Sequence, residues 1–299
     1  ESGTMLLGVL RPVLSIVIVN WNTRDLLAAC LRSLVAYPPA APHEILVADN
    51  ASADGSAEMV ERDFPRVQLV RTGANLGFAG GNNVLLRRAR GRWLLLLNPD
   101  TEIRAELDPQ PFDRLIAHLR AEPAAAAVSA RLVLPDGQTQ QSCRGFPAPA
   151  DLFYEWTGLA RLAPRALGAY RLRGFDHESA RAVDQPMASC LLLRRRALVE
   201  VGLFDEQFPI YFNDVDLAWR LHSAGWRLDY QPAASILHVG GGTTRLVRAR
   251  MVRESRDSLL AFYAKHYRPR LHPAAYSLAT TAIRTAFALR LGANRVWRG

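Results

Sequence analysis

Short apolar runs and amphipathic stretches alternate along the first hundred residues of the chain. The runs of strand length, rich in Val, Ile and Leu, are residues 14–19, 44–48, 67–70 and 93–97. The helices predicted between them cover residues 25–37, 54–62 and 82–89. Strands that alternate with helices in this way predict parallel β-α-β units.

The second half of the chain has a less regular pattern. A turn signal at residues 135–137 predicts a pair of strands over 125–134 and 138–143. Residues 151–183, rich in Arg, Gly and aromatic side chains, show no clear period. The remaining predicted elements are strands over 188–193 and 235–238, helices over 195–201 and 214–224, and a helical segment from 251 broken near Pro269 and Pro273.

Polar residues stand where several of these strands end. Asn20 follows the first strand, Asp49 ends the second, and Asn98-Pro99-Asp100 follows the fourth. Ligands of open parallel sheets bind at the carboxyl ends of the strands. The pattern therefore predicts a binding site at this edge of the sheet.

Two carboxylates at this edge allow a functional and a structural interpretation. Asp49 has the chemistry to accept a hydrogen bond from N3–H of uracil or thymine, or it caps the next helix as a turn residue. Asp100 has the chemistry to hold a divalent cation that a diphosphate already binds. Pro99 would aim it, since proline fixes its own φ, although Asn-Pro-Asp is also a plain turn sequence.

Asp214 and His238 are further candidates for chemistry. Asp214 lies at a predicted helix start, beside Tyr211 and Phe212, where a carboxylate suits a general base. The alternative is a capping acid that pairs with Arg220 on the surface. His238 ends a strand before the sequence GGGTT and is either a metal ligand or a structural histidine.

The glycine-rich segment 75–83, NLGFAGGNN, matches neither the dinucleotide fingerprint nor the P-loop. We expect a loop whose glycines let backbone N–H groups approach a ligand.

Composition narrows the class of protein. The net charge of +9 comes almost entirely from arginine, with Lys265 as the only lysine, and reflects either an anion-binding surface or a compositional bias. Nucleic-acid binding ranks last because no basic run is interleaved with stacking aromatic residues.

Cys30, Cys143 and Cys190 share no ligand-like spacing, which favours free thiols in the cytoplasm. No long uncharged apolar run predicts a spanning helix, and the N-terminus does not resemble a signal peptide.

Five segments occur together in an order that resembles the inverting family 2 glycosyltransferases, in the bacterial branch that includes rhamnosyltransferases. They are SIVIVNWNTRDLLAACLRSL, EILVADNASADGS, NLGFAGGNN, LLLLNPDT and VGLFDEQFPIYFNDVDLAWRLHSAG. The resemblance covers residues 14–244. It implies an α/β fold of the GT-A type, a Rossmann-like mixed sheet flanked by helices. The catalytic domain would span 13–245, with a nucleotide-sugar half (13–101) and an acceptor half (102–245), before a helical C-terminal extension (246–299).

The resemblance also assigns roles to single residues. It implies that Asp214 is the catalytic base, and that Asp100 and His238 bind Mg²⁺ or Mn²⁺. Asn98 and Asn213 stand where this family usually carries acids, so one charge is absent from the metal motif and one from beside the base. The implied nucleotide-sugar-binding residues are Val19, Asn20, Asp49, Asn75, Gly77 and Asn98.

The implied reaction moves a sugar, with rhamnose as the leading expectation, from a UDP- or dTDP-sugar to a hydroxyl of a saccharide or lipid-linked acceptor. One alternative is a sugar-phosphate nucleotidyltransferase, which would carry a basic glycine-rich loop where NWNTRD stands. The other is a non-catalytic nucleotide-sugar-binding module. Asp100 and Asp214 argue against that module, whereas Asn98 and Asn213 keep it open.

The stretch 272–299 is mostly apolar and leaves two interpretations open. It docks peripherally at the inner face of the membrane, or it packs on the catalytic domain or across a homodimer interface. One predicted face carries Tyr276, Ile283 and Phe287, another carries Ser277, Thr281 and Arg284, and Arg290, Arg295, Trp297 and Arg298 cluster at the end.

Overall fold

The computed structural model describes residues 12–240 and 248–296, with side chains for 12–240 and 251–291. The loop expected after His238 lies largely outside the described residues, as do the side chains of Arg295, Trp297 and Arg298.

Strands and helices alternate along the first half and are mixed in the second. The strands are β1 (Leu14–Asn20), β2 (His43–Asp49), β3 (Gln68–Arg71), β4 (Trp93–Leu97), β5 (Thr101–Glu102), β6 (Ala125–Val133), β7 (Cys143–Arg144), β8 (Arg181–Ala182), β9 (Gln185–Pro186), β10 (Cys190–Arg194) and β11 (Arg227–His238). The helices are α1 (Arg24–Ala36), α2 (Ser56–Asp63), α3 (Gly77–Arg88), α4 (Pro111–Ala121), α5 (Pro149–Thr157), α6 (Leu159–Leu162), α7 (Pro164–Leu167), α8 (Arg195–Val201), α9 (Asn213–Ser223), α10 (Arg248–Phe262), a π-helical turn (Tyr263–Tyr267) and α11 (Pro273–Val296).

One mixed sheet forms the centre of the protein, in the order β3-β2-β1-β4-β10-β6-β11-β5, with β8 paired to β11. The strands β3, β2, β1 and β4 are parallel, which confirms the predicted β-α-β units. The antiparallel strand β10 lies between β4 and β6 and makes the sheet mixed. The carboxyl ends of β1, β2 and β4 consequently share one edge.

Apolar side chains cover both faces of the sheet, so the central strands are continuous apolar runs. Ile16 and Ile18 of β1 pack with residues of α1 and α4 in one core cluster. Val17 of β1, with Leu94 and Leu96 of β4, packs with residues of α3, α8 and α9 in another. Helices therefore flank both faces, as the resemblance implied.

The prediction that residues 75–83 form a loop is wrong for most of the segment, because α3 begins at Gly77. A Cβ atom at Gly81 would lie 2.7 Å from Cγ1 of Val19, so glycine lets the helix approach β1. Gly77 has a φ of +70°, and a Cβ there would lie 2.6 Å from the carbonyl oxygen of Pro209. These glycines serve close packing, and only the residues just before Gly77 remain a loop.

The predicted strand pair around residues 135–137 is confirmed only in part. The first strand is β6, but the second forms no regular strand over 138–142. An isolated antiparallel bridge joins Val133, the last residue of β6, to Thr139, and Cys143 belongs to β7, which pairs with β9. The strand predicted over 235–238 is the end of the longer β11, which has register shifts after Arg227 and after Gln231. These irregularities hide its period, because a shift of one residue reverses the side-chain alternation. Residues 151–183, left unassigned, include most of α5 and the short helices α6 and α7.

The C-terminal helices pack on the part of the chain that precedes them. Ile283 and Phe287 of α11 are buried in one apolar cluster. The same cluster holds Phe262 of α10, Val215 of α9, and Phe208 of the loop before α9. Tyr276 packs against the same cluster, so the predicted apolar face of α11 is a packing face. Over 12–240 and 248–296, no helix combines the length and apolar character needed to cross a bilayer.

Candidate active site

A cleft of about 960 Å³ opens at the carboxyl edge of the sheet. Its walls come from the ends of β1, β4 and β11, the start of α3, and the turn that leads into α9. Most of the residues predicted to form the site line this cleft, namely Val19, Asn75, Gly77, Asn98, Asp100, Asp214 and His238.

Two predicted binding residues, Asn20 and Asp49, are buried and do not line the cleft. The Asn20 amide donates to Oδ1 of Asp49 over 3.2 Å, and the Ser52 backbone N–H donates to Oδ2 over 3.0 Å. Both carboxylate oxygens thus already have donors within the protein. The neighbouring Asn50 lines the cleft instead, and its amide donates to the carbonyl of Gly77 over 2.9 Å. A direct contact between Asp49 and a nucleoside stays a prediction.

Asp100 and His238 meet because the short strand β5 pairs with the end of β11, which places His238 opposite Thr101. The Val239 backbone N–H donates to the Asp100 carbonyl over 2.9 Å and fixes the same junction. Nε2 of His238 lies 3.3 Å from Oδ1 of Asp100, without hydrogen-bond geometry. Both atoms are buried and neither has a hydrogen-bond partner among the described residues.

Gln140 determines which nitrogen of His238 faces Asp100. Its Oε1 lies 2.7 Å from Nδ1 of His238, and an amide oxygen only accepts, so Nδ1 carries the proton. In the neutral ring Nε2 then presents a lone pair toward a carboxylate oxygen. Two acceptors that face each other call for a cation between them, and carboxylate with imidazole is a suitable ligand pair. The residues therefore fit a divalent cation.

The protein would supply few of the ligands of such a cation. No group of three or more His, Cys, Asp or Glu side chains with metal-binding geometry is found among the residues that the structure describes. Diphosphate and water oxygens would complete the coordination. Asn98 adds no charge here, because its side chain is a neutral amide. That amide donates to Oγ of Ser189 over 3.0 Å. Asp100 is thus the acid that the Asn98-Pro99-Asp100 turn presents.

Asp214 lies in the first turn of α9, half-buried, at the wall of the cleft. Burial raises the pKa of Asp214, and hydrogen bonds from backbone N–H groups, with the charge of Arg144, offset only part of that rise. A carboxylate with a raised pKa is a better proton acceptor near neutral pH. Asn213, where the family usually carries an acid, is buried and donates to the carbonyl of Ile210 over 2.8 Å.

The suggested ion pair between Asp214 and Arg220 is not present. Nε of Arg220 donates to Asp216 over 2.8 Å, and Asp216 is fully buried. Burial alone would raise the pKa of Asp216, but hydrogen bonds from His266 and Lys265 and the charge of Arg220 hold it at about 2. Asp216 is therefore a poor base, and Asp214 is the carboxylate suited to proton transfer.

Comparison with known proteins agrees with this geometry. The model of "Glycosyl transferase family 2" matches residues 15–158. The N-acetylglucosaminyl-diphospho-decaprenol L-rhamnosyltransferase of Mycobacterium tuberculosis is 33% identical over 248 residues, which cover 77% of this chain and 76% of that protein. The chain belongs to glycosyltransferase family 2. Within the family, the rhamnosyltransferase WbbL of Escherichia coli is 25% identical and aligns over 75% of this chain and 82% of its own length.

Solved structures confirm the GT-A fold of this family 2 chain. The mannosyltransferase PcManGT from Pyrobaculum calidifontis, in complex with GDP-Man and Mn²⁺, superposes with a TM-score of 0.59 at 18% identity. The match covers 95% of this chain and 76% of that one. TarS of S. aureus, in complex with UDP, gives a TM-score of 0.54 at 13% identity and covers 90% and 70%. Family membership argues against the nucleotidyltransferase alternative.

The first prediction concerns Gln140. Gln140→Leu keeps both candidate ligands but removes the acceptor that orients His238, so we expect the affinity for Mn²⁺ to fall about 10- to 100-fold. Isothermal titration with Mn²⁺ in the presence of UDP or dTDP measures this directly. Gln138→Leu is the matched control, since Gln138 is exposed in the turn nearby. Equal Mn²⁺ affinity of the two variants would show that Gln140 does not serve a metal site.

Proposed function

We propose that this chain is an inverting glycosyltransferase that transfers rhamnose from dTDP-rhamnose to a hydroxyl of a lipid-linked saccharide. The observation that carries the proposal is the placement of Asp214 in the same cleft as the Asp100–His238 pair. One group accepts a proton, while the other pair suits a cation beside a diphosphate. A single displacement between donor and acceptor needs a base and a cation beside the diphosphate, and it needs no enzyme nucleophile.

In the proposed mechanism, Asp214 accepts the proton of the acceptor hydroxyl while that oxygen attacks the anomeric carbon. The bond from the anomeric carbon to the diphosphate breaks in the same step, so the configuration inverts. Asp100 and His238 would hold Mg²⁺ or Mn²⁺, which supplies charge stabilisation to the diphosphate when bound. Asn75 and Gly77 border the donor side, where Asn50 fixes the backbone of the loop.

Support for the sugar and the nucleotide comes mainly from the relatives. Two of them, from Mycobacterium tuberculosis and Escherichia coli, are named as rhamnosyltransferases. Asp49 lends the pyrimidine less support than its position in the sequence suggested, because it is buried and does not line the cleft. The saccharide acceptor linked to a lipid by diphosphate follows from the name of the Mycobacterium relative.

The acceptor side of the cleft is apolar and aromatic. Ile210, Tyr211, Phe212 and Met187 line the wall next to Asp214. Flat apolar side chains there suit the face of a sugar ring beside the base. Arg290 of α11 lies close enough to Tyr211 for its charge to oppose the rise in the Tyr211 pKa that burial causes. The end of α11 thus borders the side from which we expect the acceptor to approach.

A donor panel tests the proposed function. We expect dTDP-rhamnose with Mn²⁺ to raise the unfolding midpoint more than UDP- or GDP-sugars do, since binding to the folded state stabilises it. We also expect transfer to a saccharide diphosphate-lipid, with an inverted anomeric configuration by NMR. Protection by a GDP-sugar alone would contradict the donor assignment. Binding without transfer to any acceptor would favour the non-catalytic module.

The third prediction concerns the base. Asp214→Asn removes the proton acceptor but keeps the shape of the side chain, so kcat should fall about 10²- to 10⁴-fold with donor affinity unchanged. Because the pKa of Asp214 is raised and the base acts deprotonated, wild-type kcat should rise with pH on a limb that lies above the ordinary Asp value. Stopped assays from pH 4 to 9 measure this limb. Near-normal turnover of Asp214→Asn would place the base elsewhere.

The fourth prediction concerns membrane contact. Leu278 and Leu289 share one exposed side of α11, 73% and 71% accessible, and Arg284 and Arg290 are also exposed on this helix. We propose that this side meets an anionic bilayer. The chain should then float with anionic liposomes, and a Leu278→Ser/Leu289→Ser variant should float less. Val199→Ser, at a residue 75% exposed on α8, is the control. Failure of the wild-type chain to float would discard the membrane contact.

A further inference from the structure

We propose that Lys265 and His266 are positioning residues that hold the catalytic helix α9 in its working place. The proposal rests on the base role proposed above for Asp214. Neither side chain is among the residues that line the cleft, so both would act through the backbone and side chains of α9. The C-terminal segment, here residues 248–296 from α10 onwards, would then contribute to the working geometry of the site.

A cluster of charges around the buried carboxylate of Asp216 carries this inference. Nζ of Lys265 lies 2.6 Å from Oδ1 of Asp216 and 2.6 Å from Oδ2 of Asp205. Nε2 of His266 lies 2.7 Å from the same Oδ1 of Asp216, and Arg220 holds the other oxygen. These five residues are called the Asp216 cluster below. The cluster joins the C-terminal segment to α9 and, through Asp205, to the loop that leads into α9.

Because Asp216 lies on α9 beside Asp214, the Asp216 cluster can affect the position of the base. Asp214 and Asp216 are two residues apart in the first turn, and side chains at that spacing point in different directions. Asp216 is fully buried in the cluster, while Asp214 lines the cleft. A displacement of this turn would move the carboxylate of Asp214 directly, without any contact between the cluster and a substrate.

The residue before α9 is a second, independent observation. Phe212 has a φ of +66°, a left-handed conformation that is rare for a bulky residue and persists only where the surroundings enforce it. Its ring lies 5.6 Å from that of Phe262 at the end of α10, and Phe262 lies 5.6 Å from Trp219 of α9. The C-terminal segment therefore packs against α9 on both sides of the base.

The π-helical turn explains how adjacent residues reach one carboxylate. The Arg268 backbone N–H donates to the Tyr263 carbonyl over 2.8 Å, a bond that spans five residues. The wider turn brings Lys265 and His266 to the same oxygen of Asp216. Lys265 is also the one lysine among 37 lysine and arginine residues. A compact ammonium fits between two carboxylates, whereas a planar guanidinium does not substitute for it freely.

The test compares this cluster with a similar one that lies away from the cleft. There, Asp229 is buried, accepts from Nε2 of His118 over 2.8 Å and from Nε of Arg227 over 2.7 Å, and joins α4 to β11. Lys265→Met and His266→Leu should lower kcat by about tenfold or more, as small displacements of reacting groups do, with donor KM unchanged. His118→Leu should lower the urea midpoint but leave kcat unchanged.

A conservative variant separates positioning from folding. Glutamine keeps an N–H donor near the place of Nε2, so His266→Gln should recover most of the kcat that His266→Leu loses. If Lys265→Met does not accumulate, the comparison of His266→Leu with His266→Gln tests the role on its own. Normal kcat in Lys265→Met and His266→Leu, or an equal loss in His118→Leu at matched stability, would overturn the positioning role.

The outcomes also separate this inference from the proposed function. A wild-type chain without transferase activity would refute the proposed function itself. An active wild type with an active Asp214→Asn variant would refute the base on which the inference rests. An active wild type and an inactive Asp214→Asn, together with normal kcat in the Lys265 and His266 variants, would refute the positioning role alone.

Discussion

The carboxylate of Asp216 is completely buried, and a buried charge is tolerated only where donors surround it. Its donors come from two directions, Arg220 on its own helix and Lys265 with His266 from the C-terminal segment. Removal of the second set would leave Oδ1 of this buried carboxylate without the donors that it has from Lys265 and His266. Asp216 therefore couples α9 to the C-terminal helices, in addition to the apolar contacts that Phe262, Ile283 and Phe287 make.

The cleft depends on the change from parallel to antiparallel pairing within the sheet. The parallel strands β1 and β4 deliver their polar ends to one edge, and the antiparallel β10 then continues the sheet into the second half. The pairing of β5 with β11 brings His238 back to Asp100 across the full length of that half. The residues proposed to hold a cation and to accept a proton thus come from distant parts of the chain.

Local sequence predicted much of this arrangement. The parallel units follow from apolar runs that alternate with helical periods, and the turn with Asp100 and the start of α9 with Asp214 stand at element boundaries that have local signals. The family resemblance, confirmed by the relatives, added the expectation that these residues share a site.

Features that depend on long-range contacts were not predictable in this way. Gln140 sits in an irregular stretch, and only the folded chain shows that it orients His238. The start of α3 was missed because glycines that usually break helices here allow close packing on β1. The hydrogen bonds of Asn20 and Asp49 were not predictable for a related reason, since a polar residue at a strand end also braces neighbouring loops.

The separation of Asp216 from its C-terminal donors also bears on how the protein is made. Lys265 and His266 follow Asp216 by 49 and 50 residues, so a ribosome completes α9 well before it adds them. During that interval the donor half can fold on local β-α-β contacts, while the carboxylate of Asp216 still lacks two of its donors. The order of synthesis thus puts β1 to β4 before α9, and the last two donors of Asp216 well after it.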